Sequence, residues 1–197
     1  MGAEEPVVFG SSYEALERVL GDQLDESVRA KLRGFGVDLK KLNPAYPYRT
    51  WLHSLELTMA LKWPGVAREE ASYHLGRAIF ESFGQTLMGK ALMPLLRVLG
   101  PRRGLERMNR NLRSSNNYSR TTLEQRAPTS FALGINLVAY PQYFRGLLED
   151  GLENSGAKSP KVEVLSHVSD DATTRQLGEI PAGLVIGPAQ FLVSWTA

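Results

Sequence analysis

Cysteine is absent from the 197-residue sequence. Its absence excludes disulfide bonds, thiol catalysis, iron–sulfur clusters and thiolate zinc sites, and it is compatible with a reducing compartment. Long apolar runs are absent as well, because no stretch reaches the roughly 18 apolar residues that a membrane-spanning helix requires. The composition therefore predicts a soluble, cytoplasmic protein without membrane insertion.

Histidine is scarce, with three residues in the chain. Each has one carboxylate nearby in sequence, whereas a metal or catalytic site needs about three converging ligands. A half-buried histidine with a single partner explains each of them better than a ligand role. We therefore expect no metal site and no catalytic residue at the three pairs, which are His53 with Glu56, His74 with Glu70, and His167 with Glu163.

The segment 84–91 nearly spells a P-loop, the glycine-rich turn that holds nucleotide phosphates. It lacks the hydroxyl that would bind magnesium, since Ala91 stands at that position, and it follows a predicted helix rather than a strand. A turn between two helices is the better interpretation. Because no complete catalytic constellation occurs elsewhere, we expect a protein that is not an enzyme.

The net charge of +2 conceals a strongly basic segment. Between Lys90 and Arg126 there are nine basic and two acidic residues, so this segment carries +7 and the remainder −5. Such a field attracts anions, whether a nucleotide, a lipid headgroup, a nucleic acid or an acidic protein surface. A solvated face that pairs with the acidic remainder is the alternative interpretation.

The centre of this segment predicts an arginine-bearing helix that starts at Pro101. Its arginines share one side, and guanidinium groups suit bidentate contacts to phosphate or carboxylate. Specific nucleic-acid binding is not expected, because no helix-turn-helix or similar scaffold flanks the helix. The candidate anion- or partner-binding residues are Arg103, Arg107 and Arg110, and the apolar stripe opposite them consists of Leu105, Met108 and Leu112.

Hydrophobic periodicity predicts an α+β fold. Helical patterns dominate residues 7–113, and strand patterns follow at 118–125, 131–138, 162–168 and 191–195. A helix from Pro141 separates the second strand from the third. We expect one domain over residues 1–197, in which the sheet-forming half, 115–197, has the order β-β-α-β-β and builds an antiparallel four-stranded sheet with helices packed around it.

The helix from Pro141 carries two interior glycines, each of which costs roughly 1 kcal/mol relative to alanine. One helical face holds Phe144, Leu148, Gly151 and Ser155. Gly151 is therefore predicted to lie on the buried face, where the helix approaches the sheet. Gly146 shares the other face with acidic residues, and we expect it to leave room for a ligand or another chain.

Several short motifs, spread from about Val7 to Trp195, resemble an uncharacterised family of paralogues found in myxobacteria. More distantly, the helical half followed by β-β-α-β-β is similar to the superfamily that contains haem nitric-oxide-binding domains, vinyl-reductase-type small-molecule-binding domains and TRAPP-type transport-complex subunits. The likeness implies a ligand cavity between helices and sheet. Its motifs are Trp63-Pro64-Gly65, Glu70-Ala71, Leu75-Gly76-Arg77, Gly89, Leu99-Gly100-Pro101 and Tyr143-Phe144-Arg145-Gly146-Leu147-Leu148.

The haem branch of that superfamily can be tested residue by residue. Residues 96–100 resemble the start of its haem-ligating helix region, yet residues 108–112 contain no histidine to bind iron. The propionate-binding Tyr-x-Ser-x-Arg motif is also absent, although Tyr140 and Arg145 retain its tyrosine and arginine. Haem is therefore not expected as a cofactor, and Tyr140, Arg145 and Gly146 are candidate contacts to another ligand.

The leading hypothesis is a sensory or regulatory module without catalytic activity, which binds a small apolar or anionic ligand or a protein partner. The alternative is an assembly subunit like the TRAPP type, in which helices pair two copies as a homodimer. A haem-based gas sensor or an enzyme ranks third. A cavity favours the first hypothesis, whereas a filled core with a large apolar surface favours the second.

Overall fold

Helices dominate the first half of the chain, and a four-stranded sheet forms from the second half. The computed structural model describes residues 5–196, except for the side chain of Met88. The helices are α1 Gly10–Leu20, α2 Glu26–Gly34, α3 Tyr48–Lys62, α4 Arg68–Gly84, α5 Leu87–Glu106, α6 Met108–Arg113, α7 Pro141–Asn154 and α8 Asp171–Leu177. The strands are β1 Val7–Phe9, β2 Ala45–Pro47, β3 Thr121–Ala127, β4 Ser130–Val138, β5 Lys158–His167 and β6 Gly187–Thr196.

The larger sheet has the strand order β3-β4-β6-β5, and every neighbouring pair is antiparallel. Alternation along each strand sends its apolar residues to one face, so Phe131, Leu133 and Phe191 are buried. Helix α7 connects β4 to β5 and covers that face. The predicted α+β class and the β-β-α-β-β order are confirmed. The connection before β6 also holds the short helix α8.

Two clusters of apolar side chains form the core. One lies among the helices α1, α3 and α4, and the other lies between α7 and the sheet, where Leu148 and Leu152 contact the buried side of the strands. Phe144 packs against both clusters. Helix α7 is therefore the middle layer, with α4 on one side and the sheet on the other.

The first strand joins the two halves of the chain. β1 pairs antiparallel with β2, and Val8 also bridges to Asn116. The Phe9 amide donates to the Ser115 carbonyl at 2.8 Å, and the Val7 amide donates to Asn117 Oδ1 at 2.9 Å. The residues that precede the sheet are thus held against the start of the helical half.

The predicted arginine-bearing helix is broken. Gly100, with φ 75° and ψ 171°, interrupts α5 just before Pro101, as the Gly-Pro pair predicted. The next helical stretch ends at Glu106, and α6 begins at Met108. The prediction of one helix from Pro101 that carries all three arginines was therefore wrong, because Arg110 lies on a different helix from Arg103.

No helix within residues 5–196 combines the length and the apolar character that a bilayer crossing demands.

Candidate functional site

An apolar cavity of about 160 Å³ lies between α7 and the wall formed by α5 and α6. Helix α4 and the start of α1 complete its boundary. No charged residue lies among its lining residues in the described part of the chain. The lining includes Ile79, Phe80 and Phe83 from α4, Leu92, Leu96, Gly104 and Leu105 from α5, Met108 and Leu112 from α6, and Phe144, Leu147, Leu148 and Gly151 from α7, with Trp51, Tyr118 and Tyr143 also present.

The two apolar stripes that the sequence revealed face each other across this cavity. All four residues of the predicted α7 stripe line it, and so do the three residues of the stripe opposite the arginines. Both stripes were predicted as buried faces. Periodicity predicts that each stripe is buried, but it does not predict that an open space lies between the two stripes.

Glycines account for part of the open space. A Cβ on Gly104 would meet no atom within 4 Å outside its own helical neighbourhood, so the missing side chain leaves room in the wall. Gly151 was predicted to approach the sheet. A Cβ there would instead face the Phe80 ring of α4, with Cε2 at 3.4 Å, so that prediction was wrong.

Gly146 lies where α7 crosses α4, not on an open face. A Cβ on Gly146 would collide with the Tyr73 carbonyl oxygen and lie 3.1 Å from the Arg77 amide nitrogen. Gly76 on α4 is its counterpart, because a Cβ there would collide with the Tyr143 carbonyl oxygen. The two backbones touch because both positions lack a side chain. The expected room for a ligand at Gly146 is absent on this side.

Arg145 belongs to a polar cluster on the α4 side of α7, outside the cavity lining. Its Nε donates to Glu149 Oε1 at 3.1 Å, and its guanidinium lies 5.0 Å from the centre of the Tyr73 ring. Glu149 is 6% exposed and also accepts from the Tyr73 hydroxyl at 2.7 Å and the Val162 amide at 3.2 Å. These contacts satisfy a buried carboxylate and tie three elements together.

Asp150 lies in the same interface and pairs with Arg77 of α4 at 2.6 Å. Arg77 also contacts Glu153 at 3.4 Å. Burial raises the pKa of Asp150 to about 6, against the opposing effect of the Arg77 charge, and nearby carboxylates add to the rise. Of the ionisable groups in this interface whose pKa is shifted, Asp150 titrates closest to neutral pH.

Tyr140 lies away from Arg145 and does not line the cavity. Its hydroxyl donates to Glu56 Oε1 at 2.8 Å, and Glu56 pairs with Arg68 at 3.0 Å. Burial is the largest cause that raises the pKa of Tyr140, so its phenol stays protonated. The structure does not bring Tyr140, Arg145 and Gly146 together into one pocket.

Arg103, Arg107 and Arg110 are exposed on the outer side of the α5–α6 wall. Within residues 5–196, no carboxylate lies within 4.0 Å of any of them, whereas Arg102 pairs with Glu106 at 3.0 Å. Their predicted anion- or partner-binding role stays a prediction. Such a role requires exposed cations, and these three side chains are exposed.

The histidines are dispersed. His53 stacks on Phe35, His74 stacks on Trp63, and His167 Nε2 lies 3.0 Å from the Val138 carbonyl oxygen. Across the described residues, no group of three or more metal-binding side chains occurs. The near P-loop is the turn between α4 and α5, where Gly89 packs against the Phe83 carbonyl.

Comparison with known proteins gives the family. Residues 6–175 match the family described as "Protein of unknown function (DUF2378)". The chain belongs to that family. No curated protein matches this DUF2378 chain in sequence.

The fold of this DUF2378 protein is similar to that of H-NOX domains. An oxygen-binding H-NOX domain related to soluble guanylate cyclases, in its oxygen complex, has a TM-score of 0.64 at 12% identity, with 95% of this chain and 93% of that chain covered. A mutant Cs H-NOX gives 0.64 at 13%, covering 96% and 97%. An unliganded Fe(II) H-NOX mutant from K. algicida gives 0.57 at 12%, with the same coverage of 96% and 97%. At such identities the likeness shows the fold alone.

This likeness overturns the expectation that haem is not a cofactor. One of the similar structures was solved to probe the function of haem distortion in the H-NOX family. The expectation rested on missing motifs, but the lining of the DUF2378 cavity includes Met108, Tyr118 and Tyr143, whose side-chain types ligate haem iron in other proteins. Its apolar walls also suit a porphyrin. Its 160 Å³ falls below the roughly 300 Å³ of pockets that enclose larger ligands, so α5 and α6 would have to move outward.

Proposed function

We propose that this chain is a ligand-binding sensory module without catalytic activity, and that its ligand occupies the cavity between α7 and the α5–α6 wall. The observation that carries the proposal is the cavity itself, which lies where two apolar helical stripes face each other. A core that served only to stabilise the fold would be close-packed at this position. The unfilled space costs stability, and a ligand would recover that cost.

The chemistry of the lining favours an uncharged, apolar ligand. No described lysine, arginine, aspartate or glutamate faces the cavity, so an anion would find no countercharge there. The Asn116 side chain at its edge is already engaged, since its Oδ1 accepts from the Tyr118 and Ser119 amides. An apolar cavity of about 150 Å³ can hold a molecule of benzene size. The space present here has that scale.

Haem is the larger candidate for the same cavity, and its two propionates, which find no countercharge in the lining, would have to lie outside it. Met108 and Tyr143 line it from opposite walls. The Met108 thioether is an iron-ligand type as it stands, whereas the Tyr143 phenol, protonated in the unliganded chain, would have to lose its proton to bind iron. The leucines and phenylalanines would enclose the porphyrin. A bound haem would supply a redox-active iron that can take a diatomic gas. The chain itself would hold the group and shield it from water. The interruptions at Gly100 and Arg107 are where the wall would adjust.

The lack of an acid–base pair in the lining supports a binding role over catalysis. Its titratable side chains are tyrosines, and burial raises the pKa values of Tyr118 and Tyr143. They therefore remain protonated near neutral pH and cannot act as general bases.

A variant that fills the cavity tests the proposal. Gly104→Leu would project a side chain into space that no atom occupies, and Gly34→Leu places the same side chain on an exposed helical glycine as a matched control. We expect benzene to raise the Tm of the native chain and of Gly34→Leu but not of Gly104→Leu. Hemin is titrated in parallel and followed by its Soret band, and native mass spectrometry reports any ligand retained from the cell.

The outcomes separate the two ligand classes. A Soret band that saturates at one equivalent in the native chain and is lost in Gly104→Leu would identify haem as the ligand. A response to benzene alone would identify a compact apolar ligand. If neither probe binds, or if Gly104→Leu and Gly34→Leu respond equally to both, the cavity is not a binding site.

A further inference from the structure

The outer side of α5 carries an apolar ridge that no described part of the chain covers. Leu87 is 88% exposed and Val98 is 84% exposed, and Leu95 is 42% exposed. Ala91 and Pro94 lie exposed between them. Because the spacings are 4, 3, 1 and 3 residues, these five side chains share one helical face. We call them the α5 ridge.

The exposed ridge and the buried side of α5 are two separate apolar faces of the helix. The opposite side of α5 packs inward, where Leu92 and Leu96 line the cavity. Single exposed leucines are common on proteins, but an aligned set along a helix marks an interaction surface. Helix α5 is therefore apolar on both sides, and only one side has a partner within the described chain.

The charged side chains that α5 itself places beside the ridge all have the same sign. Lys90 and Arg97, seven residues apart, lie along one edge of the ridge, and both are exposed. From Thr86 to Leu105 the sequence contains no acidic residue. Within residues 5–196, neither Lys90 nor Arg97 has a carboxylate oxygen within 4.0 Å.

We propose that the α5 ridge docks on the surface of an anionic lipid bilayer. An apolar face edged by lysine and arginine is the pattern of helices that lie in the membrane interface, where the apolar side chains enter the acyl boundary and the cations contact the headgroups. From Leu87 to Val98 the ridge is about 18 Å long, at roughly 1.5 Å per residue. The helix lies along the surface and does not cross the bilayer.

Charge also distinguishes this occupant from a second copy of the chain. A twofold pairing of two ridges would bring the same surface together and would place the cations of both copies side by side. A bilayer rich in anionic lipid offers one sign of charge over the whole length of the ridge. The docking does not depend on what the cavity binds.

Vesicle flotation of the full chain tests the proposal. Vesicles of phosphatidylcholine alone are compared with vesicles that also contain phosphatidylserine, at low and at high salt. We expect binding to the anionic vesicles alone and its loss at high salt. Lys90→Gln with Arg97→Gln should weaken binding about 25-fold, from roughly fivefold per charge. Leu87→Gln with Val98→Gln should weaken it by a similar factor, through lost apolar burial.

Two control variants match these changes in number and chemistry. Lys40→Gln with Lys41→Gln removes two exposed charges elsewhere, and Leu165→Gln with Val168→Gln removes two exposed apolar side chains on another surface. Both controls should bind vesicles as the native chain does, and all four variants should keep the native Tm. The proposal is overturned if the native chain does not float with anionic vesicles or if the controls lose as much binding as the ridge variants. Concentration-dependent dimers that only the ridge variants abolish, without vesicle binding, would assign the ridge to a second copy.

Discussion

Two regions of the molecule use glycine in opposite ways. At the crossing of α4 and α7, Gly76 and Gly146 bring two backbones into direct contact. In the α5–α6 wall, Gly100 interrupts the helix and Gly104 leaves space that no side chain fills. The same missing side chain thus produces a backbone-to-backbone contact in one region and open space in the other. The comparison separates a part built for stability from a part that can adapt.

Charge follows the same division. At the crossing, Arg77 pairs with Asp150 and Arg145 pairs with Glu149, and both carboxylates are buried. On the wall, Arg103, Arg107 and Arg110 are exposed cations. Removing charge from the first region should therefore change folding, whereas removing it from the second should change binding.

The largest effect is expected where a methyl group is forced into the crossing. Gly76→Ala and Gly146→Ala would each drive a Cβ into a carbonyl oxygen of the facing helix, so we expect a loss of about 3 kcal/mol or more of unfolding free energy. Gly104→Ala is the control in the wall and should be neutral or stabilising by up to about 1 kcal/mol. Urea denaturation measures all three. Equal losses of unfolding free energy in the two regions would show that the glycines of the crossing and of the wall do not differ in their role.

Neutralising Glu149 should have the next largest effect. Glu149→Gln keeps the shape but weakens the charge-assisted hydrogen bonds to Arg145 and Tyr73, so we expect a loss of about 2 kcal/mol. Glu153→Gln, half-exposed on the same helix, should cost less than about 0.5 kcal/mol. If both variants unfold at the same urea concentration, the buried cluster does not stabilise the crossing.

The crossing should also respond to pH through Asp150. Its pKa is raised in the folded state to about 6 from the usual 3.8, so between these values the folded chain binds more protons than the unfolded chain. This group's contribution to stability is therefore full below about pH 4 and is lost as pH rises through 6, by at most about 3 kcal/mol and by less to the extent that solvent screens the carboxylate. Asp150→Asn should flatten the stability profile in that window. The exposed Asp22→Asn should leave it unchanged, and an unchanged profile in Asp150→Asn would show that another group titrates there.

The smallest effect on folding is expected in the wall. Replacement of Arg103, Arg107 and Arg110 together by glutamine should leave the Tm nearly unchanged, because exposed charges contribute little to folding. Binding to heparin, used as a polyanion, should weaken in the variant and depend less steeply on salt. Identical salt dependence in both proteins would indicate a merely solvated face.

Local patterns predicted much of the fold. Alternation at 118–125 and 162–168, the mostly apolar run at 131–138 and the turn at 126–129 predicted the strands of the sheet, and the Gly100-Pro101 pair marked the break in α5. Helix α8 was missed because it has seven residues and a single capping signal, the Asp170 carboxylate that accepts from the Thr173 amide.

The face of α7 that carries Gly146 shows why the rest could not be predicted. Helical periodicity grouped Gly146 with Glu149, Asp150 and Glu153 as a polar, open face. The structure buries most of that face, since α4 supplies Arg77 and Tyr73 to pair with its carboxylates. A polar stripe becomes an interface only when a distant helix provides matching charges, and local spacing does not contain that information. The one available signal was Tyr-x-x-Gly, which occurs at the crossing in both helices, at 73–76 and 143–146.

The haem prediction failed for a related reason. That prediction considered histidine at residues 108–112, whereas the side chains that line a cavity come from several helices and strands. Met108 of α6 and Tyr143 of α7 line the same cavity only because the fold brings the two helices to it. Candidate iron ligands of this kind have no spacing that a sequence motif could record.

The pairing of β1 sets an order on how the chain folds. Val7 bonds to Asn117, 110 residues later, so this loop cannot close until more than half of the chain has been synthesised. The hydrogen bonds within each intervening helix are local and can form earlier, whereas closing so long a loop comes late and slowly. During synthesis β1 can pair with β2 early, but its bond to Asn117 must wait until that residue has left the ribosome, and only then are the two halves of the chain joined.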